Sequence, residues 1–250
     1  MPAASVRTAV AAISFLTRVP VGRTMPIDAA DVARSTVLFP LVGAGIGAAA
    51  AAVAVLLHPT LPAFLAAAIA VGAAVLVTGA MHLDALADTF DAAGATTRDR
   101  ALKVMRDPRL GTFGVAAVVF DSLIKVGAVA VLLDRGGALT ALVAAGALSR
   151  AAGAPLAAML PYPRAEGGPG SVLTGRVGGV AALATALLGV ALAVAVAGVS
   201  GAIAAGAVAI VAVGAGLVFA RWLGGATGDS LGATTEVAET VAIVVLAGLA

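Results

Sequence analysis

Residues 61–80 read "LPAFLAAAIAVGAAVLVTGA", a run of twenty residues without a single charge. A helix of about 20 apolar residues is long enough to cross the hydrocarbon core of a bilayer. The stretch at 82–91 reads "HLDALADTFD" and places three carboxylates directly after this run. A charge-free segment that ends in a group of acids predicts a membrane helix with a polar site at its end.

The composition of the whole chain also indicates a membrane protein. Of the 250 residues, 61% are hydrophobic and only 11% are charged, whereas a soluble domain has about 25% charged residues. We therefore predict an all-α fold, a polytopic bundle of about six to seven transmembrane helices that forms one domain over residues 1–250. The absence of cysteine excludes disulfides, a thiolate nucleophile and a cysteine-based zinc site.

Further apolar runs predict more spans, near 37–57, 138–160, 178–198 and 201–220, and 138–160 contains one charged residue, Arg150. A sixth span near 114–133 contains Asp121 and Lys125, which are four residues apart and share one helix face, where they can pair. The segment 241–250 is too short to span alone, so it either extends a helix that begins near Thr234 or is partly inserted. Residues 1–36 predict an interfacial segment on the cytoplasmic side rather than a signal peptide.

Six crossings place the four polar connections, at 1–36, 82–113, 161–177 and 221–240, on one side of the membrane. These connections hold 12 of the 15 Lys and Arg residues. The positive-inside rule therefore predicts that they lie in the cytoplasm, that the active site is at the cytoplasmic face, and that the chain is a multi-pass protein of the inner cell membrane.

The aspartates are arranged as one stripe if the helix at 61–81 simply continues. Asp88 then lies about 40° from Asp84, and Asp91 lies about 20° to its other side, while His82 points away. Three adjacent carboxylates either bind a proton or are neutralised by a cation, and carboxylate oxygens are suited to Mg²⁺. We predict a magnesium site at Asp84, Asp88 and Asp91. The alternative is a solvated helix end with ordinary surface acids.

The stretch at 98–114, "RDRALKVMRDPRLGTFG", is rich in cations and ends in a Pro/Gly turn. A predicted metal site that is followed along the sequence by basic residues suggests phosphate binding. The alternative is that the same basic residues bind anionic lipid headgroups. Residues predicted to bind substrate are Lys103, Arg106, Arg109 and Gly111, together with Arg18 and Arg164 from the first and third polar connections.

A second acidic group lies in "GDSLGATTEVAE" at 228–239. If this stretch is helical, Asp229 and Glu236 nearly align, and Glu239 lies within about 80° of them. The group could supply further metal ligands or a base that activates a hydroxyl. A capped helix start with solvated acids explains it equally well. Arg150 lies inside a predicted span, where an arginine needs a partner, and Asp121 is a candidate.

Five segments occur in an order that resembles the cobalamin synthase family, whose members are also called adenosylcobinamide-GDP ribazoletransferases. They are "FLTRVPV" at 15–21, "LFPLVGAGIG" at 38–47, "HLDALADTFDA" at 82–92, "MRDPRLGTFG" at 105–114 and "TGDSLGATTEVAE" at 227–239. The resemblance covers nearly the whole chain. The aspartate motif and the "RDPRLGTFG" turn are its specific parts.

The resemblance implies an integral membrane enzyme that joins α-ribazole, or its 5′-phosphate, to adenosylcobinamide-GDP and releases GMP with Mg²⁺ as cofactor. It places the metal at the three aspartates of 82–92 and implies catalytic roles for Asp107, Asp229, Glu236 and Glu239. Two Asp-Gly pairs of the family are Asp84-Ala85 and Asp91-Ala92 here. The expected partners are the two substrates and the lipid bilayer, with no nucleic acid, and a homo-oligomer is left open.

Two other functions are compatible with acids beside membrane spans. A CDP-alcohol phosphotransferase of phospholipid synthesis also uses aspartates and magnesium, but the spacing 84, 88, 91 and the lack of a following Ala-Arg differ from that family's signature. A secondary transporter places its ionisable residues near the middle of the bilayer, whereas most acids here are at span ends.

Overall fold

The computed structural model describes residues 4–22, 25–164 and 166–250. Within these ranges the regular elements are helices, which confirms the predicted all-α class. Two short 3₁₀ turns, at Thr36–Leu38 and Pro169–Val172, accompany ten α-helices. The α-helices are α1 (Ala4–Leu16), α2 (Ala29–Ser35), α3 (Phe39–Leu57), α4 (Ala63–Thr78), α5 (Met81–Ala93), α6 (Arg98–Val104), α7 (Thr112–Asp134), α8 (Ala138–Met159), α9 (Gly179–Trp222) and α10 (Gly228–Leu249).

Five stretches are long and apolar enough to cross a membrane, and the bent pair α4–α5 is a sixth candidate. The 44-residue α9 contains a break at Gly198, which has φ 56° and ψ −131°. A Cβ at Gly201 would overlap the carbonyl oxygen of Ala193, and residues eight apart approach so closely only if the chain folds back. α9 therefore forms two arms, which confirms the spans predicted near 178–198 and 201–220.

The last helix follows one of its two predicted alternatives, in which 241–250 extends an earlier helix, although that helix begins at Gly228 rather than near Thr234. α10 is one continuous helix of 22 residues, so 241–250 is the second half of a full span and the partly inserted alternative is wrong. Thr227 caps this helix by accepting a hydrogen bond from the backbone N–H of Ser230, at 3.1 Å. Among the described residues, the two arms of α9 and the bent pair α4–α5 bring the number of candidate crossings to seven, within the predicted number.

The short turns and the polar connections lie at opposite ends of the bundle. His58 Nε2 lies 3.3 Å from Asp134 Oδ1, which joins the α3–α4 turn to the α7–α8 turn. Arg135 donates a hydrogen bond of 3.0 Å to the carbonyl of Ala250. At the other end, the third polar connection contacts α6 and the start of α10. The basic connections are therefore grouped at one end.

The α4–α5 junction is the main departure from the predicted fold. Gly79 and Ala80 both adopt left-handed backbone angles, with φ 64° and 59°, and the chain turns by 90° between the two helices. The prediction that the aspartates lie on a straight continuation of the span is wrong for this reason. Glycine is favoured at position 79 for two reasons. A residue with a side chain would be strained at this left-handed backbone angle, and its Cβ would overlap the side chain of Arg18.

α8 is the central helix and packs against α3, α9 and α10. Its crossing with α3 brings backbone against backbone, because a Cβ on Gly43 would overlap the carbonyl oxygen of Gly146, and a Cβ on Gly146 would overlap that of Gly43. Small residues allow this close approach in membrane bundles.

Alanine at Gly43 should therefore force α3 and α8 apart and lower the free energy of unfolding by about 1–3 kcal/mol, the usual cost of overpacking. The measurement is the thermal unfolding midpoint in detergent. Gly45→Ala is the matched control, because nothing lies within 4 Å of a Cβ at that position. Equal midpoints for the two variants would contradict the backbone contact.

Candidate active site

The acidic residues of α5 and α10 meet beside a cavity of about 540 Å³ at the polar end of the bundle. α1, the α4–α5 junction, α8 and the start of α10 form its wall, and Asp84 and Asp229 line it. Asp88 is half-buried, within electrostatic range of the carboxylates of Asp84, Asp229 and Asp91 and of the guanidinium of Arg164. The structure therefore brings residues from two distant motifs into one acidic group.

Asp91 has a contact that the sequence did not indicate. One carboxylate oxygen accepts a hydrogen bond of 2.7 Å from the backbone N–H of Gly111, and the other accepts one of 2.8 Å from Gly114. Asp91 thus caps the N-terminus of α7, where a negative charge is favourable. A Cβ on either glycine would overlap this carboxylate, so Gly111 makes room for Asp91 and has no direct place in the basic cleft described below.

The fit of a magnesium ion depends on which carboxylates are free. No hydrogen bond or ion pair engages the side chains of Asp84 and Asp88 in the part of the chain that the structure describes. In the same residues no group of three His, Cys, Asp or Glu side chains is arranged to hold a metal. Mg²⁺ commonly binds through one or two carboxylates together with water and substrate phosphates. The donor set therefore fits Mg²⁺ through Asp84 and Asp88, and the three-aspartate assignment stays a prediction.

A cleft of about 250 Å³, called the basic cleft below, adjoins the acidic group. Its lining contains three cations, Lys103, Arg106 and Arg164, and two acids, Asp99 and Glu166. Arg106 forms an ion pair of 2.8 Å with Glu166. Arg164 lies 3.3 Å from Asp229, and its side chain is only 7% exposed. Its Nε has no hydrogen-bond partner among the described atoms. A buried guanidinium with an unused donor is suited to an anion.

Asp107 and Arg109 are paired with each other rather than with the acidic group. Arg109 donates to Asp107 at 2.9 and 2.7 Å, and these hydrogen bonds lower the pKa of the Asp107 carboxyl to about 2. A carboxylate with so low a pKa is a weak general base. The Arg109 side chain is 86% exposed and does not line the basic cleft. Their predicted roles stay predictions, which this geometry does not favour.

Glu236 and Glu239 lie deeper in the bundle, in an intramembrane ionic cluster with Asp121, Lys125 and Arg150. Lys125 pairs with Glu236 and lies 3.3 Å from Asp121 and 3.9 Å from Glu239, so the predicted Asp121–Lys125 pair is confirmed. Arg150 pairs with Glu239 at 2.7 Å. Asp121 as the partner of Arg150 is therefore wrong, because α10 places Glu239 in the nearer position. Two cations engage both glutamates, so Asp229, which pairs with Arg164, is the acid of the late motif that lines the cavity.

Sequence comparison identifies the family of the chain. The model of the cobalamin-5-phosphate synthase family matches residues 8–247. The chain belongs to the cobalamin-5-phosphate synthase family. Two curated relatives are called adenosylcobinamide-GDP ribazoletransferase. The one from Klebsiella pneumoniae (strain 342) is 42% identical over 94% of this chain and 97% of its own length. The one from Escherichia coli (strain K12) is 40% identical over the same shares.

Membership of the cobalamin-5-phosphate synthase family agrees with the resemblance in the sequence motifs, and the matched range includes every candidate site residue. The comparisons support neither a CDP-alcohol phosphotransferase nor a transporter. No solved structure matches the chain. The geometry of the site therefore rests on the structure described above.

Sequence reasoning missed several residues around the site. His82 was expected to point away, yet it is buried and lines the cavity together with Asp84. Phe15 and Phe39 on the cavity wall and Glu166 beside Arg106 were also missed. Their partners are distant along the chain, and no spacing rule indicates such pairs. The motifs "FLTRVPV" and "LFPLVGAGIG", which contain the two phenylalanines, were the available signal.

Proposed function

We propose that this chain is an adenosylcobinamide-GDP ribazoletransferase, which joins α-ribazole or its 5′-phosphate to adenosylcobinamide-GDP and releases GMP. The observation that supports this most is the contact between Arg164 and Asp229. It joins a cleft whose lining has more cations than acids to a cavity that Asp84 and Asp229 line. Transfer between a diphosphate and a hydroxyl requires both, because charge on the phosphates must be neutralised beside a group that accepts a proton.

The basic cleft is the proposed site for the diphosphate of the donor. Lys103 and Arg106 are on α6 and the turn that follows it, and Arg164 approaches from the third polar connection. Arg106 is exposed and paired with Glu166 on the surface, so it can exchange that carboxylate for a phosphate oxygen. The unused Nε of buried Arg164 offers a donor that the protein itself does not occupy.

Asp84 and Asp88 would hold Mg²⁺. The ion, when bound, supplies positive charge that neutralises phosphate oxygens and the departing GMP. This assignment also accounts for the acidic group itself, because four carboxylates near one guanidinium are otherwise mutually repulsive.

Asp229 is the proposed general base. Its carboxylate lines the cavity where the acceptor would bind, whereas Lys125 and Arg150 engage Glu236 and Glu239. In the reaction, the ribose hydroxyl of α-ribazole attacks the phosphorus that bears the cobinamide. A new P–O bond forms, the P–O bond to GMP breaks, and Asp229 takes the hydroxyl proton. Arg164 holds Asp229 toward the phosphates in this arrangement.

The membrane setting is proposed from the charge distribution. The apolar helices make this a membrane protein. The grouping of the basic connections at one end supports an inner-membrane orientation with the site facing the cytoplasm. In this orientation both substrates reach the site from the aqueous cytoplasmic side.

The test is release of GMP by the purified full chain in detergent, with adenosylcobinamide-GDP, α-ribazole and Mg²⁺. We expect GMP in a one-to-one ratio with the corrinoid product, and loss of turnover when EDTA removes the metal. Restoration by added Mg²⁺ distinguishes metal loss from unfolding. A folded, monodisperse protein that releases no GMP would reject the function.

A further inference from the structure

Building on the proposed function, we infer that the 540 Å³ cavity is the acceptor subsite and that Arg18 recognises the 5′-phosphate of the acceptor nucleotide. Arg18 is thus a specificity-determining residue, which distinguishes the phosphorylated acceptor from the free nucleoside. The stacked pair of Phe15 and Phe39 and the contacts of Arg18 with Val77 and Gly79 do not involve the carboxylates assigned to metal and base.

The size of the cavity selects the smaller substrate. Pockets for small ligands occupy about 300–1,000 Å³, and a cavity of about 540 Å³ is within that range. A benzimidazole nucleoside fits such a volume. The donor is several times larger, because it contains an adenosylated corrinoid and a guanosine diphosphate. The cavity therefore holds the acceptor, while the donor has only its diphosphate near the site.

The wall of the cavity is suited to a flat aromatic base. Phe15 of α1 and Phe39 of α3 both line it, and their rings are stacked with centroids 5.5 Å apart and planes 11° from parallel. Leu16, Met81 and Leu173 add apolar surface. Aromatic faces stack well on planar heterocycles. The carboxylates of Asp84 and Asp229 lie on the same lining, which keeps the ribose within reach of the proposed base.

Arg18 is the unengaged cation of this lining. Of the two arginines there, Arg150 is paired with Glu239. No carboxylate in the described part of the chain pairs with the guanidinium of Arg18. The arginine of the adjoining basic cleft that contacts a residue of the cavity lining, Arg164, is likewise paired, with Asp229. A planar guanidinium with free donors is the group that best matches a phosphate.

The position of Arg18 is fixed by its backbone and by the helix junction. Its backbone N–H donates to the carbonyl of Val77 at 2.8 Å. Its side chain crosses Gly79, where a Cβ would overlap it. The left-handed turn at the end of α4 thus leaves room for this side chain at the cavity. Of the two arginines that line the cavity, Arg150 pairs with Glu239, so Arg18 is the one whose charge is available to a phosphate.

The test compares kcat/KM for α-ribazole 5′-phosphate with kcat/KM for α-ribazole. In Arg18→Met we expect the ratio of the two values to fall by about 10- to 100-fold, the range for loss of a charge-assisted hydrogen bond. Arg221→Met is the matched control, because Arg221 is exposed and lines neither the cavity nor the cleft. Its ratio should stay within about twofold of the wild-type value.

Calorimetric titration of the detergent-solubilised full chain with α-ribazole 5′-phosphate, without donor, gives a readout independent of turnover. Weaker binding in Arg18→Met than in Arg221→Met supports the assignment. A ratio in Arg18→Met that matches the wild type, or an equal loss with both acceptors, overturns it. If the wild type binds the nucleotide through Arg18 but releases no GMP, the proposed function fails and the subsite stands.

Discussion

Asparagine in place of Asp88 should lower kcat for GMP release by about 100-fold or more, and Asp84→Asn should do the same. Neither carboxylate has a hydrogen bond or ion pair with another described residue, and both lie in an acidic group with one nearby guanidinium. Removing one negative charge weakens the attraction for Mg²⁺ while leaving the shape of the side chain. The measurement is single-turnover GMP release over a range of Mg²⁺ concentrations, together with Mn²⁺ binding followed by electron paramagnetic resonance.

Asp134→Asn is the control for this prediction. Asp134 is an exposed acid that contacts His58 at the opposite end of the bundle. Its replacement should change neither Mn²⁺ binding nor turnover. Full activity and unchanged Mn²⁺ binding in Asp88→Asn would remove the metal role from α5. Asp91→Asn should instead weaken the capping of α7 and lower the unfolding midpoint, since both oxygens accept backbone hydrogen bonds.

Methionine in place of Lys125 should destabilise the bundle by about 3–5 kcal/mol, the cost of leaving a buried charge without its partner. Lys125 is 6% exposed and faces the carboxylates of Asp121, Glu236 and Glu239. Without it, three acids remain beside a single arginine inside the membrane. We expect a lower yield of folded protein and a lower thermal unfolding midpoint in detergent.

The double variant Lys125→Met with Glu236→Gln tests whether charge imbalance is the cause. It removes one positive and one negative charge, so part of the lost stability should return. Ser122→Ala is a neighbouring control on α7 that leaves the cluster intact. If the double variant is as unstable as the single one, the loss comes from packing of the lysine stem instead.

The number and position of the helices could be predicted because a helix that crosses lipid needs about 20 consecutive, mostly apolar residues. Apolar runs of sufficient length predicted α3, α7 and α8 within a few residues, although α7 and α8 contain charged residues. The separate spans predicted near 178–198 and 201–220 agree with the reversal inside α9, although the chain is helical on either side of Gly198. The 90° bend before α5 was missed, because Gly79 in an apolar run is a weak signal and nothing in the sequence indicates that Ala80 adopts a left-handed conformation.

The candidate site could be predicted by residue type but not by partner. Spacing along one helix identified the aspartates of α5 and the Asp121–Lys125 pair. It could not show that Asp91 caps α7, that Arg164 pairs with Asp229, or that Arg150 pairs with Glu239. Each of these contacts joins residues at least twenty positions apart. They depend on how helices pack, which helix periodicity does not specify.

The bend at Gly79 and Ala80 has a consequence for the strength of the electrostatic field around the aspartates. Had α4 run straight on, Asp91 would stand about 20 Å beyond Thr78, at 1.5 Å of rise per residue, in bulk water. By turning α5 sideways against α7 and α10, the chain keeps its carboxylates at the rim of the low-dielectric bundle. Attraction between opposite charges there is several times stronger than in water.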